Sequence, residues 1–551
     1  MIDTLRPLSF DHLIRWIMSE QKKTGSIFGV RDFYQANPFK TLDFPNEKLE
    51  TPFGPASGPH TQYAQSIIAA YVAGCRFFEL RTVCPREINQ DPEITAGSEG
   101  YNVEGATNLC LRGAYEEFVK AWIILKVLSV EFGMGGMNGF IFNISAGYTY
   151  EDLTAPEMKK FFASMKDASG TQTFNECIDY LKKNIHMFEK LTIDDVDDIS
   201  PVVSTAVSVC TPIDCPVKEI ENMAKYVMIE CGFGMALRLN AALLGYDYCR
   251  STLDSMGYYD IEISRETIDK SIKYYDMVPL INKLIGVANK EGRLFGVKLT
   301  GAFPVVDKGD RSRSLKLSGK ALFPLSVALA SKLSDDFEGR LKIAFSGGAD
   351  ANNVEDIFEA GIWPITMNTT ILKPGGFNRF KQFSYTFNEW NYNDHHGTRT
   401  GLLRRMGERV RLNNHYTKPV KSDIQTKHAG RIPLTNCFIA PCVEGCPIKL
   451  DITTALSLID EEKYTEALRV ILAKDPLPFT TGSICTHECM SNCTRIFYEK
   501  SVKIREANLI AAQNGYDEVI EDLHPSQPVG RRLNIAVVGG GPAGMSSAYF
   551  L

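Results

Sequence analysis

The sequence predicts an α/β protein in which a (β/α)8 TIM barrel is followed by a helical, cysteine-rich domain and by the start of a Rossmann-type domain. Eight apolar, β-rich runs alternate with amphipathic stretches between residues 49 and 377, six of the 14 cysteines crowd into residues 437–493, and a glycine-rich loop follows an apolar run at 534–538. The predicted boundaries are 1–48 for an N-terminal extension, 49–400 for the barrel, 401–432 for a connector, 433–522 for the helical domain and 533–551 for the Rossmann start.

Charge and hydropathy exclude several classes of protein. The 551 residues carry 60 Lys and Arg against 66 Asp and Glu, a net charge of −6. A protein that binds a nucleic acid duplex usually has a basic excess, so we expect no nucleic acid partner. The N-terminus has no basic start followed by an apolar core, and no run of about eighteen apolar residues occurs, so we expect a cytoplasmic protein without a membrane span.

The barrel prediction depends on strand count and alternation. Eight strands that each precede a helix or a long insert are typical of a (β/α)8 barrel, and a doubly wound open sheet is the alternative. Strong helices are expected at 216–231, 318–333 and 353–360, with insertions near 155–200 and 245–275. The predicted strands are 51–56, 76–83, 139–146, 206–211, 235–241, 295–300, 342–347 and 363–369.

The cysteine cluster indicates a metal site rather than a disulfide framework. Its two groups have the spacings C-x4-C-x3-C-P and C-x3-C-x3-C, whereas structural zinc usually takes pairs that are two residues apart. Triplets of thiolates, one of them followed by proline, suit cubane iron–sulfur clusters, with zinc and inert thiols as the alternatives. The predicted ligands are Cys437, Cys442, Cys446, Cys485, Cys489 and Cys493.

Residues 437–508 resemble the N-terminal helical iron–sulfur domain of the glutamate synthase small subunit and of dihydropyrimidine dehydrogenase. In that family two [4Fe-4S] clusters conduct electrons between flavins. A family cysteine falls here on Leu434, so the resemblance implies one or two clusters, and an oxygen ligand falls on Asn508, with Glu506 as the alternative. By the family pairing, one cluster takes Cys437, Cys442 and Cys493, and the other takes Cys446, Cys485 and Cys489.

The glycine motif Gly539-x-Gly541-x-x-Gly544 directly follows a predicted strand at 534–538. Its glycines allow a tight turn, and the helix N-terminus behind it supplies amide donors for a pyrophosphate; a plain glycine turn is the alternative. The run VVGGGPAG is typical of FAD-binding pyridine nucleotide-disulfide-type reductases, which implies FAD and NAD(P)H in the full-length protein. We expect the chain to be C-terminally truncated within this domain and its last dozen residues to pack poorly.

The barrel resembles dihydroorotate dehydrogenase and the pyrimidine-reducing part of dihydropyrimidine dehydrogenase. The resemblance is carried by the sequences PASG at 55–58, FNIS at 142–145 and SGGAD at 346–350. It implies that FMN is possible at the barrel mouth, with its phosphate near the loops after strands seven and eight. The residues implied are Ala56, Ser57, Gly58 and Asn143, with Gly347, Gly348, Asn368 and Thr369 around the phosphate.

Two positions where that family has a flavin-facing lysine differ in this chain. The second-strand lysine is replaced by Arg81 and the fifth-strand lysine by Arg238. Arginine keeps a cation beside the flavin but cannot shuttle a proton, since it does not lose its own at physiological pH. Lys298 is a nearby alternative cation with a predicted catalytic role, and a strand-end surface lysine is its other interpretation.

The family's catalytic acid is a cysteine or serine just after the fourth strand. Cys210 and Cys215 are the candidates here, and a buried structural cysteine is the alternative for each. The family's fourth-strand asparagine is Ser208 in this chain. The barrel therefore has the expected fold but an altered set of residues at its mouth, and fold alone does not settle chemistry.

Over nearly its whole length the chain resembles the selenate reductase subunit family, through the sequences at 51–62, 243–246, 318–325, 345–350 and 361–365. The resemblance implies an oxidoreductase that passes electrons from NAD(P)H through FAD and [4Fe-4S] clusters to a barrel-bound flavin, for a small-molecule substrate, or to a redox partner protein. The alternative is an electron-transfer or docking subunit of a molybdenum-type reductase or hydroxylase with an inactive barrel. A zinc-stabilised binding protein is a third hypothesis.

Overall fold

The computed structural model divides the chain into two compact units, residues 1–420 and 421–551. It describes residues 7–31, 33–37, 40–44, 47–85, 94–96, 109–259, 261–301, 303–306, 314–372, 375–388, 390, 392, 397–413, 415–418, 440–497, 501–523 and 535–551.

The first unit is a parallel (β/α)8 barrel, as predicted. Its strands pair in sequential order, the eighth pairs with the first through Ile365 and Phe53, and the Arg76 N–H donates to the Phe53 carbonyl at 3.2 Å between the first and second strands. This circular order rules out the doubly wound alternative. The strands are Phe53–Pro55, Phe77–Glu79, Ile141–Gly147, Ala206–Cys210, Gly234–Arg238, Phe295–Leu299, Ile343–Phe345 and Ile365–Met367.

Helices surround the barrel, and both predicted insertions contain helices. None of the helices in the described parts of the chain is long and apolar enough to cross a membrane. The helices of this unit, 3-10 and π turns apart, are Phe10–Thr24, Ala64–Val72, Leu111–Glu131, Tyr150–Thr154, Pro156–Lys166, Gln172–Lys183, Ile193–Asp197, Val217–Lys225, Tyr246–Ser255, Arg265–Lys270, Tyr274–Lys290, Phe323–Asp336, Val354–Glu359, Arg379–Asn388 and Thr400–Val410.

A buried ion pair holds the amino-terminal face of the barrel together. The fully buried Arg76 donates from Nε to Glu50 Oε2 at 2.8 Å, and the Gly136 N–H donates to Glu50 Oε1 at 2.6 Å. Arg76 Nη1 also donates to the Tyr71 and Cys75 carbonyls at 3.0 and 2.9 Å. These groups precede strands one, two and three, at the face that in this fold serves stability rather than catalysis.

A small sheet stands over the opposite face, built from the loops after strands six and two. Its strands are Phe303–Val306, Ser314–Leu317 and Ile94–Ala96. Pro304 pairs with Lys316 in the antiparallel register, and both residues line the cavity described below. Long loops at the carboxyl ends of the strands thus cover the barrel mouth.

The segment predicted as a connector, 401–432, starts inside a helix that packs on the barrel. Leu403 of Thr400–Val410 is fully buried, and Arg404 Nη2 lies 2.9 Å from Asp335 Oδ1 of the barrel helix Phe323–Asp336. Further on, the Lys418 N–H donates to the Met256 carbonyl at 2.8 Å. The compact unit therefore continues to Val420, and residues 419–432 lie outside the described residues.

The second unit is helical over its described residues 440–497 and 501–523. A Cβ added to Gly515 would lie 2.6 Å from the Tyr464 carbonyl oxygen, so glycine lets two of these helices approach closely. Ile452, Ala467 and Ala511 are fully buried between the helices. The helices are Pro441–Gly445, Ile452–Asp460, Tyr464–Leu472, Pro478–Ile484, Glu488–Ser491 and Ile504–Asp522.

The prediction of a strand at 534–538 is wrong for the described residues. Asn534 lies outside the described residues, and residues 535–538 form no strand, because no strand in the described parts of the chain hydrogen-bonds to them. The helix of the motif does form, as Pro542–Phe550 with Gly541 as its N-cap residue, and none of its residues is buried. The last dozen residues are thus poorly packed, as expected.

The turn of the glycine motif is tight. Gly539 has φ +114°, and a Cβ added to Gly544 would lie 1.9 Å from the Gly539 carbonyl oxygen. The first and last glycines therefore have the conformational freedom and the close contact that a dinucleotide-binding turn requires. Binding of FAD by Gly539, Gly541 and Gly544 stays a prediction.

Candidate functional site

A cavity of about 340 Å³ lies at the carboxyl ends of the barrel strands. This volume is at the lower end of the range of small-molecule sites, and active sites of this fold lie at this face. Polar and cationic side chains line the cavity together with apolar ones, among them Ile213, Leu239 and Met277. Five residues predicted from the sequence line it, namely Ser57, Arg81, Cys210, Cys215 and Arg238.

A buried carboxylate that the sequence analysis missed lies behind this cavity. Glu79 is fully buried at the end of the second strand, and its Oε2 lies 2.5 Å from Lys298 Nζ and accepts from the Ser57 N–H at 2.9 Å. Its Oε1 lies 3.2 Å from Arg238 Nη2. Glu79 thus joins the two predicted cations, and the three side chains, the Glu79 triad, carry a net charge of +1.

Burial and charge act in opposite directions on this triad. Burial raises the pKa of Glu79, but Lys298 and then Arg238 outweigh it, so the pKa of Glu79 falls to about 2. Burial lowers the pKa of Lys298 to about 8, although Glu79 opposes this shift. The side chain of Lys298 is only 2% exposed, which removes its interpretation as a surface lysine. It lies behind the cavity, so its catalytic role stays a prediction.

Four side chains across the ends of strands one to four form a continuous row. Ser57 Oγ lies 3.0 Å from Thr82 Oγ1, which lies 2.8 Å from Ser145 Oγ, and Ser145 Oγ lies 3.4 Å from Cys210 Sγ. We call these four residues the hydroxyl row. Ser145 was not singled out from the sequence, because a serine inside an apolar strand has no distinctive spacing. The polar residue within an apolar run was the signal available for both Ser145 and Glu79.

The other residues predicted around a flavin are engaged within the protein. Asn143 is buried and donates from Nδ2 to Ser208 Oγ at 2.8 Å. The Ala56 N–H donates to the Met367 carbonyl at 2.9 Å, and the Gly58 N–H donates to Thr61 Oγ1 at 3.1 Å. These contacts fix the strand ends around the cavity.

The predicted phosphate loops come together at the ends of strands seven and eight. Gly348 has φ +87°, and a Cβ there would lie 2.2 Å from the Gly319 carbonyl oxygen, so the loop packs tightly. Gly347, Gly348, Asn368 and Thr369 are not among the residues that line the cavity. The buried Asn368 Oδ1 accepts no hydrogen bond within the described structure. This orphaned acceptor is the feature at these loops that fits a donor group of a ligand.

Five of the six predicted cluster ligands lie in the described part of the second unit, and all five are free thiols. The thiols influence one another. Burial raises the pKa of Cys489 to about 11, and the charges of Cys446 and then Cys485 act in the same direction. Burial raises the pKa of Cys442, to which Cys493 and Cys446 also contribute. These interactions cross the two groups of the family pairing, because Cys446 acts on both Cys442 and Cys489, so the assignment of each cysteine to a cluster stays a prediction.

The two cysteine groups approach each other closely at Gly445 and the Asn492 side chain. A Cβ added to Gly445, next to Cys446, would lie 2.4 Å from Asn492 Nδ2, next to Cys493. The His487 N–H donates to Cys485 Sγ at 3.3 Å. Amide donors to sulfur are a recurrent feature of iron–sulfur sites and affect the reduction potential.

The oxygen ligand implied by the family has a suitable candidate. Asn508 Oδ1 is buried and has no hydrogen-bond partner within the described structure, whereas Glu506 on the same helix is exposed. Asn508 is thus the better placed of the two. Cys437 and Leu434 lie outside the described residues, and the role of Cys437 stays a prediction.

The spacing of the described thiols bears on the choice of metal. Among the described residues, no three His, Cys, Asp or Glu side chains are close enough to hold a single metal ion. Structural zinc needs four ligands within about 2.3 Å of one ion. The ligands of a cubane bind different irons. The choice between zinc and a cubane stays a prediction, since Cys437 lies outside the described residues.

Comparisons with known proteins give matches for both units. Residues 28–418 match the family model described as oxidoreductase YgfK, N-terminal TIM-barrel domain, and residues 410–518 match dihydropyrimidine dehydrogenase domain II, 4Fe-4S cluster. The oxidoreductase YgfK of Escherichia coli (strain K12) is 36% identical over 572 residues, covering 100% of this chain and 55% of the relative. The chain thus spans about half the length of these curated relatives.

More distant relatives match shorter stretches. The NADPH-Fe(3+) oxidoreductase subunit beta of Geobacter sulfurreducens (strain DL-1 / KN400) is 34% identical over 115 residues, covering 21% of this chain and 17% of the relative. The NADP(+)-dependent formate dehydrogenase subunit beta of Moorella thermoacetica is 29% identical over 135 residues, covering 20% and 19%. A crystal structure of DHODH from Eimeria tenella in complex with ferulenol has 12% identity and a TM-score of 0.36, covering 72% of this chain and 96% of that one.

Proposed function

Because the chain belongs to the family of the oxidoreductase YgfK N-terminal TIM-barrel domain, we propose that it is an iron–sulfur oxidoreductase whose helical unit relays single electrons. In the proposed route, NAD(P)H reduces FAD, [4Fe-4S] clusters accept the electrons, and a flavin at the barrel mouth or a redox partner protein receives them. The observation that carries this proposal is the presence of five free thiols in a helical unit that matches a 4Fe-4S domain.

The donor set of the helical unit fits cubane clusters. Cys446, Cys485 and Cys489 would hold one cluster, and Cys442 and Cys493 would contribute to the other. Asn508 Oδ1, buried and without a partner among the described residues, supplies an oxygen donor. When bound, the clusters would carry one electron each, while the chain excludes water from them and sets their potentials through groups such as the His487 N–H.

The barrel mouth fits a flavin in two respects. The Glu79 triad keeps a net positive charge beside the cavity, which suits the electron-rich edge of a flavin ring. The orphaned Asn368 Oδ1 offers an acceptor to a ligand hydroxyl. Ser57, Arg81 and Arg238 would orient FMN there, and the bound flavin would supply hydride and single-electron chemistry.

A second function is favoured by a different observation. Both cations of the triad already form ion pairs with Glu79. The loop with Gly347 and Gly348 does not line the cavity. These contacts suit a barrel that binds no flavin and serves as an electron-transfer or docking subunit. Its partner would be a molybdenum-type reductase or hydroxylase, as the selenate reductase subunit resemblance implies.

Cofactor analysis of the full-length protein tests these proposals. Iron, acid-labile sulfide, zinc, FMN and FAD are quantified per chain after anaerobic purification, and reduced samples are examined by EPR. We expect iron and sulfide in equal amounts with a cubane signal; zinc without iron would refute the electron-transfer proposal. One FMN per chain would support the active barrel, and its absence beside intact clusters would support the docking subunit.

Ligand variants make the test specific to residues. Cys489→Ser should reduce the iron content, since it removes a thiolate from one cluster. Asn508→Ala should keep most of the iron but shift the EPR signal or the midpoint potential of one cluster. Asn514→Ala on the same helix is the matched control, because its exposed side chain only donates to the Ile510 carbonyl at 2.8 Å. Equal spectra for both asparagine variants would exclude Asn508 as a ligand.

A further inference from the structure

The hydroxyl row begins and ends at the barrel cavity. Ser57, Thr82 and Cys210 line the cavity, whereas Ser145, between Thr82 and Cys210, is fully buried. Each member comes from the end of a different strand, and the successive heavy-atom distances are 3.0, 2.8 and 3.4 Å. All three distances are within hydrogen-bond range for oxygen or sulfur.

Counting protons shows that the row can carry a proton. The Thr82 N–H donates to Ser57 Oγ at 2.9 Å, which leaves the Ser57 hydroxyl free to donate to Thr82 Oγ1. Thr82 can then donate to Ser145, and Ser145 to a Cys210 thiolate. With Cys210 as a thiol, every bond can run the other way, because a hydroxyl both donates and accepts. The hydrogen bonds of the row can therefore all point toward Cys210 or all point away from it. Passing one proton along the row converts the first arrangement into the second.

We propose that Ser57, Thr82 and Ser145 relay protons to Cys210, and that Cys210 delivers them to a ligand bound in the barrel cavity. This inference rests on the proposed function with an active barrel. The Sγ–H bond breaks as the proton passes to the ligand, and Sγ takes the Ser145 proton. Ser145 is reprotonated by Thr82, Thr82 by Ser57, and Ser57 by water. The net change is the transfer of one proton from water to the ligand, which leaves a hydroxide ion in the solvent, without electron transfer.

Backbone contacts fix Cys210 at the end of the row. Gly147 has φ +152°, and a Cβ added there would lie 1.9 Å from the Cys210 carbonyl oxygen, so only glycine lets the third strand lie this close. The next residue, Tyr148, donates its N–H to the same carbonyl at 2.9 Å. Gly147 is the register partner of Cys210 on the neighbouring strand, and Ser145, two residues earlier on strand three, lies within bonding distance of the Cys210 side chain.

The charges around Cys210 come from the neighbouring strands. Lys298 interacts electrostatically with Cys210, and Arg238, Arg81 and Tyr148 line the same cavity. Lys298 and the two arginines thus place positive charge around the cavity that Cys210 lines.

The second candidate thiol, Cys215, is placed differently. Its Sγ contacts the Pro216 carbonyl at 3.9 Å and has no contact with the hydroxyl row. Burial raises the pKa of Cys215 to about 11, and the negative charges of Glu219 and Asp214 act in the same direction. The geometry therefore separates two thiols that the sequence left equal.

Thiol alkylation tests the relay without requiring a substrate. The rate of iodoacetamide modification of Cys210 is measured in the full chain between about pH 6 and pH 10, with peptide mass spectrometry to resolve it from the other cysteines. Ser145→Ala removes the direct donor to the thiolate. In this variant the alkylation rate of Cys210 at neutral pH should fall about tenfold, and the midpoint of its pH profile should move upward. The reason is that hydrogen bonds to charged groups are strong.

A matched pair tests the middle of the row. Thr82→Val keeps the shape but removes the hydroxyl, and should slow alkylation about twofold because Ser145 is then less polarised. Thr82→Ser keeps the hydroxyl and should restore the wild-type rate. Ser204→Ala is the control for loss of a buried serine, since its Oγ donates to the Phe142 carbonyl at 2.7 Å, away from the row.

The outcomes separate the relay from the proposed function. Wild-type alkylation profiles for both Ser145→Ala and Thr82→Val would overturn the relay, even if clusters and flavin are present. Slowed alkylation that Thr82→Ser restores would support it. If the same protein contained no flavin, the active barrel would fail while the Cys210 thiol remained coupled to its row. Should Ser145→Ala not fold, the Thr82 pair decides the result alone.

Discussion

The substitution Glu79→Gln should lower the free energy of unfolding of the barrel, because it removes the single carboxylate of a buried ionic triad. Lys298 and Arg238 would then face each other without a counter-charge, with their side chains 2% and 22% exposed. Removing one partner of a buried ion pair commonly costs about 3–5 kcal/mol. Glutamine preserves the shape of the side chain, so packing contributes little to the loss.

The pKa values of the triad give the sign of its pH dependence. A folded-state pKa of about 2 for Glu79, against 4.5, corresponds to about 3 kcal/mol of stability that is present above pH 4.5 and lost as the pH falls toward 2. A folded-state pKa of about 8 for Lys298, against 10.5, costs a similar amount below pH 8. This cost disappears as the pH rises from 8 to 10.5, where the unfolded chain binds more protons.

In Glu79→Gln the pKa of Lys298 should fall further, because the charge that raises it is gone. The lysine then becomes neutral at lower pH, and the difference in unfolding free energy from wild type should be smaller near pH 9 than near pH 6. All four tryptophans lie within residues 1–420, so urea unfolding followed by tryptophan fluorescence reports on the barrel unit alone.

Glu338→Gln is the matched control for this test. Glu338 also lies in an ion pair, 2.9 Å from Arg340 Nη2, but its side chain is 72% exposed. Exposed pairs contribute about 0–1 kcal/mol, so this variant should unfold almost like wild type. A loss below about 1 kcal/mol for Glu79→Gln, or a loss that does not shrink with rising pH, would refute the reasoning.

Three further substitutions address other buried groups, with the same fluorescence assay as the measurement. Arg76→Lys should destabilise by about 3 kcal/mol, because lysine cannot both pair with Glu50 and bond two carbonyls; near-wild-type stability would contradict this. Gly147→Ala should cost more than about 3 kcal/mol, whereas Gly401→Ala, with no atom within 4 Å of its added Cβ, should be neutral or stabilising. Lys126, whose pKa burial lowers to about 7, should make stability rise with pH from 7 to 10.5 by up to about 1.4 kcal/mol per pH unit. Lys126→Met should remove this contribution and leave the rise above pH 8 that comes from Lys298.

The barrel could be predicted from the sequence because its strands are buried on both faces. Such strands are mostly apolar, as in Ile141–Gly147, where all seven residues are buried and Asn143 and Ser145 are the two polar members. Each of the eight predicted runs contains or overlaps one observed strand. The prediction of a strand at 534–538 was wrong because an apolar run becomes a strand only when another strand pairs with it.

The mouth of the barrel was predictable only in part. Arg238 and Cys210 were found because they stand at strand ends where a related family has functional residues. Glu79 and Ser145 were missed, because their importance arises from contacts between strands that are distant in sequence. Glu79 meets Lys298 across more than 200 residues, and no local pattern encodes such a contact.

The energetics of the Glu79 triad suggest why it is kept. Burial works against both charged groups: Glu79 stays ionised because Lys298 and Arg238 outweigh its burial, and burial lowers the pKa of Lys298 despite Glu79. Replacing a buried ionic cluster by apolar residues of similar volume is often neutral or stabilising. Such a replacement would remove the net positive charge beside the cavity and the carboxylate that fixes the Ser57 N–H at the start of the hydroxyl row. Specific contacts made against the cost of burial therefore favour a role of the triad at the cavity in front of it over a role in folding stability.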